Sequence, residues 1–387
     1  MARPDVIVVG VGSVGAGAFM ALAKAGVKVL GVDRWAPPHT GGSHHGESRI
    51  TRLGVGEGAD CVPLAVRTHQ RWRELEAQRG TEILFQVGGA VIAQPGVGRN
   101  HGQDDFLGAT IANATAHDIP HELLDAEELA RRLPMMRFVG DETGYWEPSA
   151  GYIRPDRAIG AMIGAALDAG AELRTGAAVQ SVDIDGARPA IVLADGERLE
   201  ADRVILSAGA RVRQLVDLPV ATKVTRQVLQ WSPIQPDKQG LYDPATCPVF
   251  IRQTREGDFY GFPAIDGPEG GIKVAAETSG PDVDPDTLTA CAPDAECLDI
   301  LDRIILPVMR GLDRRILKSA ICRYTEIPNA RFLMDTHPAR DDIIIASTCS
   351  GHGFKHSAAI GEKLAHMACG IPILDQIAAL DFSAATH

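Results

Sequence analysis

The stretch DVIVVGVGSVGAGAFMALAKAGVKVLGVD, residues 5–33, decides the fold of this chain. It begins with an apolar run, Val6 to Val9, typical of a strand buried on both faces. A helix is predicted over residues 16–25 and a second strand over residues 27–32. Between the first strand and the helix, three glycines follow the pattern G-x-G-x-x-G: Gly10, Gly12 and Gly15.

A strand, a glycine turn, a helix and a second strand in this order indicate a dinucleotide-binding βαβ unit. The glycines permit a tight turn and close backbone approach, so the helix N-terminus can bind a pyrophosphate through free N–H groups and its positive dipole end. Asp33 ends the second strand, where an acid accepts hydrogen bonds from ribose hydroxyls. The alternative is a tight turn without a ligand, but the complete order of elements favours nucleotide binding.

The composition excludes several classes of protein. With 38 Lys and Arg against 50 Asp and Glu, the net charge of −12 gives no support to nonspecific binding of nucleic acid or of an anionic membrane. No apolar run is long enough to span a bilayer, and the first strand starts too near Met1 to leave room for a signal peptide. The seven cysteines show neither a disulfide framework nor C-x-x-C pairs. We therefore expect a cytoplasmic protein with neither a nucleic-acid nor a membrane partner.

A long loop over residues 35–48 runs into Arg49 and Arg52. Long loops inside compact domains are usually functional. Two arginines three residues apart often form a solvated face, but beside an anionic ligand they are candidates for phosphate or carboxylate recognition.

A second glycine loop of similar construction occurs near the C-terminus. A predicted strand over residues 341–348 leads into Ser350-Gly-His-Gly-Phe-Lys355 and a helix from about 357 to 369. Its helix N-terminus could stabilise negative charge elsewhere on the same ligand, such as that around N1 and C2=O of a reduced flavin. This second turn makes FAD more plausible than NAD, although spacing leaves both open.

The rest of the chain predicts two kinds of sheet. Residues 201–210 form a buried strand that ends in small residues, which suits a second contact with the nucleotide. Residues 220–277 are typical of alternating, mostly antiparallel strands. HELLDAEELARRL, residues 121–133, predicts one capped amphipathic helix. The fold class expected is α/β, with an α+β part.

His352 and His356 are spaced i, i+4, a pattern that occurs in metal sites. A glycine separates His352 from the helix, and no third ligand of suitable spacing presents itself. No metal is therefore predicted.

The motifs GVGSVG, SHHGESRITR, GEGADCVPLAVR, FYGFP, GIK, CRYT and SGHGFK, in this order, resemble those of the monomeric sarcosine oxidase and N-methyltryptophan oxidase family. That family belongs to the larger D-amino-acid-oxidase-like flavoprotein group. The resemblance covers residues 5 to about 370, and SHHGESR and SGHGFK are its most specific motifs. It implies a Rossmann-like FAD-binding domain (residues 1–80, 151–215 and 320–387) interleaved with a substrate-binding domain on a mixed, largely antiparallel sheet (residues 81–150 and 216–319).

The resemblance also implies that FAD is attached covalently. Cys322 matches the cysteine that carries the flavin 8α-carbon in that family, and a thiolate is a suitable nucleophile for that position. The alternative is an inert buried thiol. The full set of implied cofactor-binding residues is Gly10, Gly12, Ser13, Val14, Gly15, Asp33, Arg34, Ser43, His44, Arg49, Val179, Gly209, Cys322, Gly351, Gly353, Phe354 and Lys355.

Three further residues match groups that act on oxygen or substrate. Lys273 matches the lysine that activates oxygen, where a fixed ammonium stabilises the negative charge that develops on O2; a strand lysine is otherwise usually a solvated edge residue. Arg52 and Lys355 match the pair that binds the substrate carboxylate. The remaining catalytic candidates, which match residues beside the flavin or in the active site, are His45, Arg49 and Tyr260.

One position departs from the family. Four residues after Lys273 the sarcosine oxidases have a histidine that faces the substrate, but this chain has Glu277. An anion in place of a donor disfavours a second carboxylate and favours a cationic or hydroxylated substituent. Glu277 is therefore a candidate substrate-binding residue, and the substrate is not expected to be sarcosine itself.

Taken together, the resemblance implies an FAD-dependent oxidase of a secondary or N-methyl amino acid, with hydride transfer to flavin N5, hydrolysis of the imine and reduction of O2 to H2O2. The alternatives are a flavin-dependent amine dehydrogenase with another acceptor, a flavin-binding subunit without turnover and, least favoured, an NAD-dependent dehydrogenase. We expect a small-molecule amine and O2 as partners, and a monomer or homodimer.

Overall fold

A computed structural model describes residues 3–138, 140–278 and 280–386 of the chain. The strands, in chain order, are β1 Val6–Val9, β2 Val29–Val32, β3 Arg49–Thr51, β4 Leu84–Phe85, β5 Gly89–Ala93, β6 Glu122–Leu124, β7 Thr143–Glu147, β8 Gly151–Ile153, β9 Glu172–Arg174, β10 Val179–Asp183, β11 Ala190–Leu193, β12 Arg198–Glu200, β13 Arg203–Leu206, β14 Lys223–Ser232, β15 Val249–Gln253, β16 Phe259–Gly261, β17 Ile272–Ala276, β18 Lys318–Glu326, β19 Leu333–His337 and β20 Arg340–Ser347. The helices are α1 Ser13–Lys24, α2 Cys61–Arg79, α3 Phe106–Ala116, α4 Ala126–Arg132, α5 Pro155–Asp168, α6 Val212–Leu215, α7 Asp294–Ile300, α8 Ser357–Cys369 and α9 Asp375–Ala378.

The first sheet has six strands in the order β19-β20-β13-β1-β2-β9. Strand β1 lies inside it, parallel to both β2 and β13, and all four of its residues are buried. Only the edge strand β19 runs antiparallel to its neighbour. The apolar run Val6–Val9 therefore forms the doubly buried strand that the sequence predicts.

Helix α1 crosses this sheet and packs closely on α8, which carries the C-terminal end of the chain back to the first turn. Two glycines make the close approach possible. A Cβ atom added at Gly361 would lie 2.2 Å from the backbone carbon of Gly17, and one added at Gly17 would lie 2.8 Å from the Ser357 carbonyl oxygen. Because both positions lack a side chain, helices α1 and α8 pack in direct backbone contact.

The second large sheet has eight strands in the order β18-β14-β17-β16-β15-β5-β7-β6. Its pairs are antiparallel except for β15 with β5. Smaller three-stranded sheets join β3, β8 and β4, and β10, β11 and β12. The expected α/β class with a mixed, largely antiparallel second part is confirmed. The domain ranges stay a prediction.

The helix predicted over residues 121–133 is wrong in its first part. Residues Glu122–Leu124 form strand β6, which pairs with the edge of β7. Asp125 then accepts a hydrogen bond from the Glu128 backbone N–H at 2.9 Å and begins α4 through a capping box. Because pairing with β7 satisfies the backbone before the cap, the helix begins only after Asp125.

Over the described ranges, the structure contains no helix with both the length and the apolar character needed to cross a membrane.

Candidate active site

One continuous cavity runs from the first glycine turn to the second, and residues from both large sheets line it. Most of the predicted site residues line this cavity; Gly15, His45, Lys273 and Cys322 are not among its lining residues. The predicted residues that line the cavity are Gly10, Gly12, Ser13, Val14, Asp33, Arg34, Ser43, His44, Arg49, Arg52, Val179, Gly209, Tyr260, Glu277, Gly351, Gly353, Phe354 and Lys355.

The first glycine turn leaves no room for side chains. A Cβ atom at Gly15 would lie 1.9 Å from the Gly10 carbonyl oxygen, and Gly10 itself has a left-handed backbone with φ of 83°. Helix α1 begins after Gly12 with no side-chain cap, and its first turn borders the cavity. Free N–H groups at a helix N-terminus beside a cavity form a site for a phosphate group.

Asp33 is a fixed, buried carboxylate on the wall of the same cavity. It accepts hydrogen bonds from the backbone N–H groups of Val11 at 2.8 Å and of Trp35 at 2.9 Å, and lies 3.2 Å from His39 Nε2. Burial by itself raises the pKa of Asp33, but these partners outweigh it and hold the pKa below its usual range. The carboxylate is therefore ionised and positioned at the end of β2, as the ribose assignment requires.

The outer end of the cavity is bounded by Arg34, Val179 and Gly209. Arg34 Nη1 donates to Asp286 at 3.1 Å and the guanidinium lies 5.1 Å from the centre of the Trp35 ring. Nearer the turn, His44 packs against Gly12, where a Cβ atom would lie 3.3 Å from His44 Nδ1. Burial lowers the pKa of His44 to about 3, so that ring is neutral.

These residues fit FAD. A side-chain-free turn, an uncapped helix end and a fixed acid stand at one end of the cavity, and the second glycine turn stands at the other. At that second turn a Cβ atom on Gly353 would lie 1.7 Å from the Thr348 carbonyl oxygen, and Gly351 has a left-handed backbone with φ of 79°. The cavity therefore offers backbone contacts at both ends of an elongated dinucleotide.

Arg49 joins the loop after β2 to strand β18. Its Nη2 donates to the carbonyl oxygens of Ser43 and His45, both at 2.7 Å, and lies 3.7 Å from Cys322 Sγ. Cys322 is fully buried, with its sulfur 3.4 Å from the Ser43 carbonyl oxygen. The structure thus places the positive charge of Arg49, which lines the cavity, beside this thiol. His45 is held by a 2.9 Å hydrogen bond between Nε2 and the Ile321 carbonyl oxygen, and burial lowers its pKa to about 4.

Lys273 lies on β17, a central strand, rather than at a solvated edge. Its Nζ donates to the carbonyl oxygens of Gly46 at 2.8 Å and Ser48 at 2.7 Å, and lies 4.2 Å from the centre of the Phe262 ring. Burial, with a contribution from Arg49, lowers the pKa of Lys273 well below its usual range. The two carbonyl groups fix the position of Lys273 Nζ, and the lowered pKa means that this amine loses its proton at a lower pH than an ordinary lysine does.

Arg52 and Lys355 meet at a carboxylate that the sequence analysis missed. Glu57 accepts from Arg52 Nη2 at 2.8 Å and from Lys355 Nζ at 2.7 Å, and all three side chains are buried. Burial raises the pKa of Glu57, but Arg52 and Lys355 hold it well below its usual range. Glu147 fixes the backbone after Arg52 by accepting from the N–H groups of residues 53 and 54 at 2.8 and 2.9 Å. No local pattern around Glu57 distinguishes it from a surface acid.

A second ion pair, half-buried, borders the same cavity. His101 Nε2 lies 3.2 Å from Glu277 Oε1, and both residues border the cavity. Burial by itself lowers the pKa of His101, but Glu277 outweighs this effect and raises it. Burial by itself raises the pKa of Glu277, but His101 outweighs this effect and lowers it. The nearby Tyr260 hydroxyl lies 3.4 Å from that of Tyr324. His101 lies in a loop and carries no sequence signal for this role.

Beyond this pair a second cavity opens, which shares His101, Glu277 and Tyr324 with the first and is also lined by Asp258. Burial raises the pKa of Asp258 to about 6. The substrate end is therefore bordered by more than one acidic side chain.

Sequence spacing predicts no third ligand for His352 and His356, but the fold supplies a candidate, and the expected absence of a metal stays a prediction. Tertiary packing brings Cys61, the first residue of α2, to the two histidines, so that one ligand atom from each residue lies within 4.8 Å of the others.

Comparison with known proteins agrees with this geometry. The family model described as DAO, FAD dependent oxidoreductase, matches residues 5–367. The chain is 34% identical over 372 residues to a monomeric sarcosine oxidase of Streptomyces avermitilis, covering 94% of this chain and 93% of that protein. It is 32% identical over 369 residues to an N-methyl-L-tryptophan oxidase of Yersinia pestis, covering 93% of this chain and 94% of that protein.

Solved structures resemble the chain in fold. NikD, described as an unusual amino acid oxidase essential for nikkomycin biosynthesis, superposes with a TM-score of 0.82 at 22% identity, covering 99% of this chain and 97% of that chain. A fructosamine oxidase of Aspergillus fumigatus superposes with a TM-score of 0.78 at 20% identity, covering 99% and 89% of the two chains. At these identities the likeness concerns the fold.

Proposed function

The chain belongs to the DAO family of FAD dependent oxidoreductases, together with the sarcosine and N-methyl-tryptophan oxidases, and on that premise we propose that it oxidises a secondary or N-methyl amino acid with O2 as electron acceptor. Its dependence on FAD and its action on an amine or amino acid follow from the family. The choice of O2, the covalent flavin bond and the substrate class are proposals.

The observation that carries the proposal is the pair of buried cations around Glu57. Arg52 and Lys355 converge on one carboxylate within a cavity that continues to the dinucleotide turn. A guanidinium supplies a planar fork and an ammonium a compact charge, so together they can bind and orient a substrate carboxylate. Glu57 accepts from both cations, and we propose that the substrate carboxylate takes over part of these contacts.

FAD, when bound, supplies the redox chemistry by accepting the two electrons of the amine and passing them to O2. The first turn of α1, Asp33 and the glycines of the second turn would hold it. Arg52 and Lys355 orient the substrate, and the pair His101–Glu277 limits the access of water at the substrate end. The protein therefore contributes mainly positioning and electrostatics.

Lys273 is proposed to assist the reaction with O2. Two carbonyl groups fix its Nζ, so a charged Lys273 would present a positioned ammonium to the negative charge that develops on oxygen. Its interior position on β17 supports this role over that of a solvated edge residue.

Cys322 is proposed to carry FAD through a bond from its sulfur to the 8α-carbon. The contact of Arg49 Nη2 with the sulfur supports this assignment, because it ties Cys322 to a residue that lines the cavity. Acid precipitation of the holoenzyme tests it: the flavin is expected to stay with the pellet in the wild type and to appear in the supernatant for Cys322→Ser. Flavin released from both proteins would contradict the assignment.

Glu277 and the second cavity support a substrate with a polar or cationic side chain. The carboxylate faces the cavity beside His101, and Asp258 adds a second acid beyond it. A substrate cation placed between them would gain a charge-assisted contact that sarcosine, which has no side chain, cannot make. The substrate we propose is therefore an N-substituted amino acid with a donor group on its side chain.

A peroxide-coupled assay of the holoenzyme with N-methyl, cyclic and primary amino acids tests the proposed function. We expect peroxide with one or more N-methyl or cyclic amino acids. Reduction of the flavin without peroxide would instead indicate an amine dehydrogenase with another acceptor, and neither signal with any amine would indicate a flavin-binding subunit without turnover. Cytoplasmic location and a monomeric or homodimeric state stay predictions from the sequence.

A further inference from the structure

A cluster of three metal-ligating side chains that the proposed reaction does not use lies beside the cavity, which one of them, His352, lines. Cys61 begins α2, while His352 and His356 lie on the second glycine loop and at the start of α8. One ligand atom of each lies within 4.8 Å of the others, and all three residues are buried, His356 completely. Segments separated by about 290 residues in the chain therefore converge here.

Three of the four histidine nitrogens in this cluster have no hydrogen-bond partner among the described residues. His352 Nε2 lies 2.8 Å from the Ala330 carbonyl oxygen, so Nε2 carries the proton and Nδ1 the lone pair. Neither His352 Nδ1 nor either ring nitrogen of His356 has a hydrogen-bond partner among the described residues. Buried polar atoms are nearly always paired, so three orphaned nitrogens in one place require a specific explanation.

We propose that Cys61, His352 and His356 form a binding site for a thiophilic metal ion, Zn²⁺ or Cu⁺. One thiolate and two imidazoles are a ligand set that both ions favour. The hydrogen bond from His352 Nε2 to a backbone carbonyl is the outer contact that usually orients a metal-binding histidine and leaves its other nitrogen for the metal. Binding would replace the proton of the Cys61 thiol, which is released to solvent.

The surroundings of the cluster distinguish the two ions. Lys355 and Arg52 lie next to it and share the single carboxylate Glu57, so the region already carries positive charge. A Cu⁺ ion with one thiolate and two neutral histidines forms a neutral, three-coordinate complex. Zn²⁺ would leave a net positive charge and require a fourth ligand, for which a water molecule is the usual choice at three-ligand sites.

A bound ion would fix the loop that carries Lys355. Lys355 stands between the two histidines in the sequence, and its Nζ also donates to the His352 carbonyl oxygen at 3.1 Å. The ion would therefore tie this loop to the start of α2, four residues after Glu57. The site is structural, and its occupancy is measurable without any assay of turnover.

The test is stoichiometric metal binding by the holoenzyme after dialysis against a chelator. Zn²⁺, Cu⁺ under anaerobic reducing conditions, and Co²⁺ as a spectroscopic probe are added separately, with metal content measured by mass spectrometry. We expect one equivalent of Zn²⁺ or Cu⁺, and for Co²⁺ the visible bands of a thiolate complex beyond the flavin absorption. Affinity should fall more than about 100-fold in Cys61→Ser and His356→Phe, because even an outer contact is worth about 10–100-fold.

The matched control is Cys247→Ser, which alters a buried thiol in the core beneath the eight-stranded sheet and should bind metal like the wild type. Circular dichroism and flavin content establish that each variant is folded. The proposal is overturned if the wild type takes up no equivalent of either ion, or if folded Cys61→Ser and His356→Phe bind as tightly as the wild type. A protein that binds the ion but oxidises no amine would contradict the proposed function and leave the metal site standing.

Discussion

The two ends of the cavity are built in opposite ways. At the dinucleotide end, one contiguous segment, residues 6–33, supplies the glycine turn and the acid, Val179 and Gly209 complete the wall, and no side chain fits at Gly10 or Gly15. The substrate end is formed by charged side chains from four separate segments: Arg52 with Glu57, His101, Glu277 and Lys355. The first end depends on local conformation, and the second depends on which distant charges packing brings together.

The largest effect is expected at the dinucleotide end. Gly15→Ala would place a Cβ atom 1.9 Å from the Gly10 carbonyl oxygen, so the turn must distort. We expect the variant to lose flavin and about 3 kcal/mol or more of folding free energy, since overpacking a rigid site costs this much or more. Flavin absorbance of the purified protein and its thermal denaturation measure both effects.

Gly160→Ala is the matched control, because this helical glycine of α5 has nothing within 4 Å of the added Cβ atom. It should retain flavin and gain roughly 0.5–1 kcal/mol of stability. A Gly15→Ala protein that holds flavin as well as this control would mean that the turn is not rigid, and the contrast between the two ends would lose its basis.

At the substrate end, Arg52→Ala is expected to raise KM for the amino-acid substrate. Loss of a desolvated, charge-assisted contact should weaken binding by about 2–5 kcal/mol. Arg131→Ala, on the exposed face of α4, should leave KM unchanged. Steady-state kinetics measure KM for both variants. An Arg52→Ala enzyme with the KM of the wild type would show that Arg52 does not bind the substrate carboxylate.

Lys273→Met is expected to separate the two half-reactions. Reoxidation of reduced enzyme by O2 should slow by about 100–1,000-fold, the usual loss for one electrostatic donor, while reduction by substrate is spared. Lys318→Met, a matched change at a lysine beside the same Trp231 ring, should affect neither. Stopped-flow measurements in which Lys273→Met reoxidises like the wild type would exclude it from the oxygen reaction.

The pH dependence of reoxidation tests the same residue. Burial lowers the pKa of Lys273, so its ammonium is present at low pH and is lost as pH rises through a value below that of an ordinary lysine. The reoxidation rate of the wild type should therefore fall with rising pH over that window, and Lys273→Met should show a flat profile there. An unchanged slope in the variant would assign the titration to another group.

The smallest effect is expected at Glu277. Glu277→Gln should weaken binding of substrates with a cationic side chain by about 1.5–3 kcal/mol, the range for a hydrogen bond to a charged group, and leave neutral side chains little affected. Glu269→Gln, an exposed acid before the same strand, is the control. Comparison of kcat/KM for paired substrates measures the difference, and an equal loss for both classes would rule out Glu277 as a charge selector.

Prediction from sequence succeeded where one local rule decides the structure. The apolar period of β1, the glycine spacing and the acid at the end of β2 lie within one short segment, so each can be recognised without its neighbours in space. It failed at residues 121–124, where pairing with β7 overrides a helical pattern, and at Cys61, which reaches His352 and His356 only through the packing of α2 on the second loop.

The sequence by itself determined the nucleotide turn, the class of sheet and the family. Each of these depends on the period of apolar residues or on the conformation of glycines, and both act over a few neighbouring residues. Only the tertiary structure decided that Glu57 occupies Arg52 and Lys355, that His101 pairs with Glu277 and that Cys61 joins two histidines. Those partnerships join segments that lie far apart in the chain, and a charge shows its partner only once folding has removed the water between them.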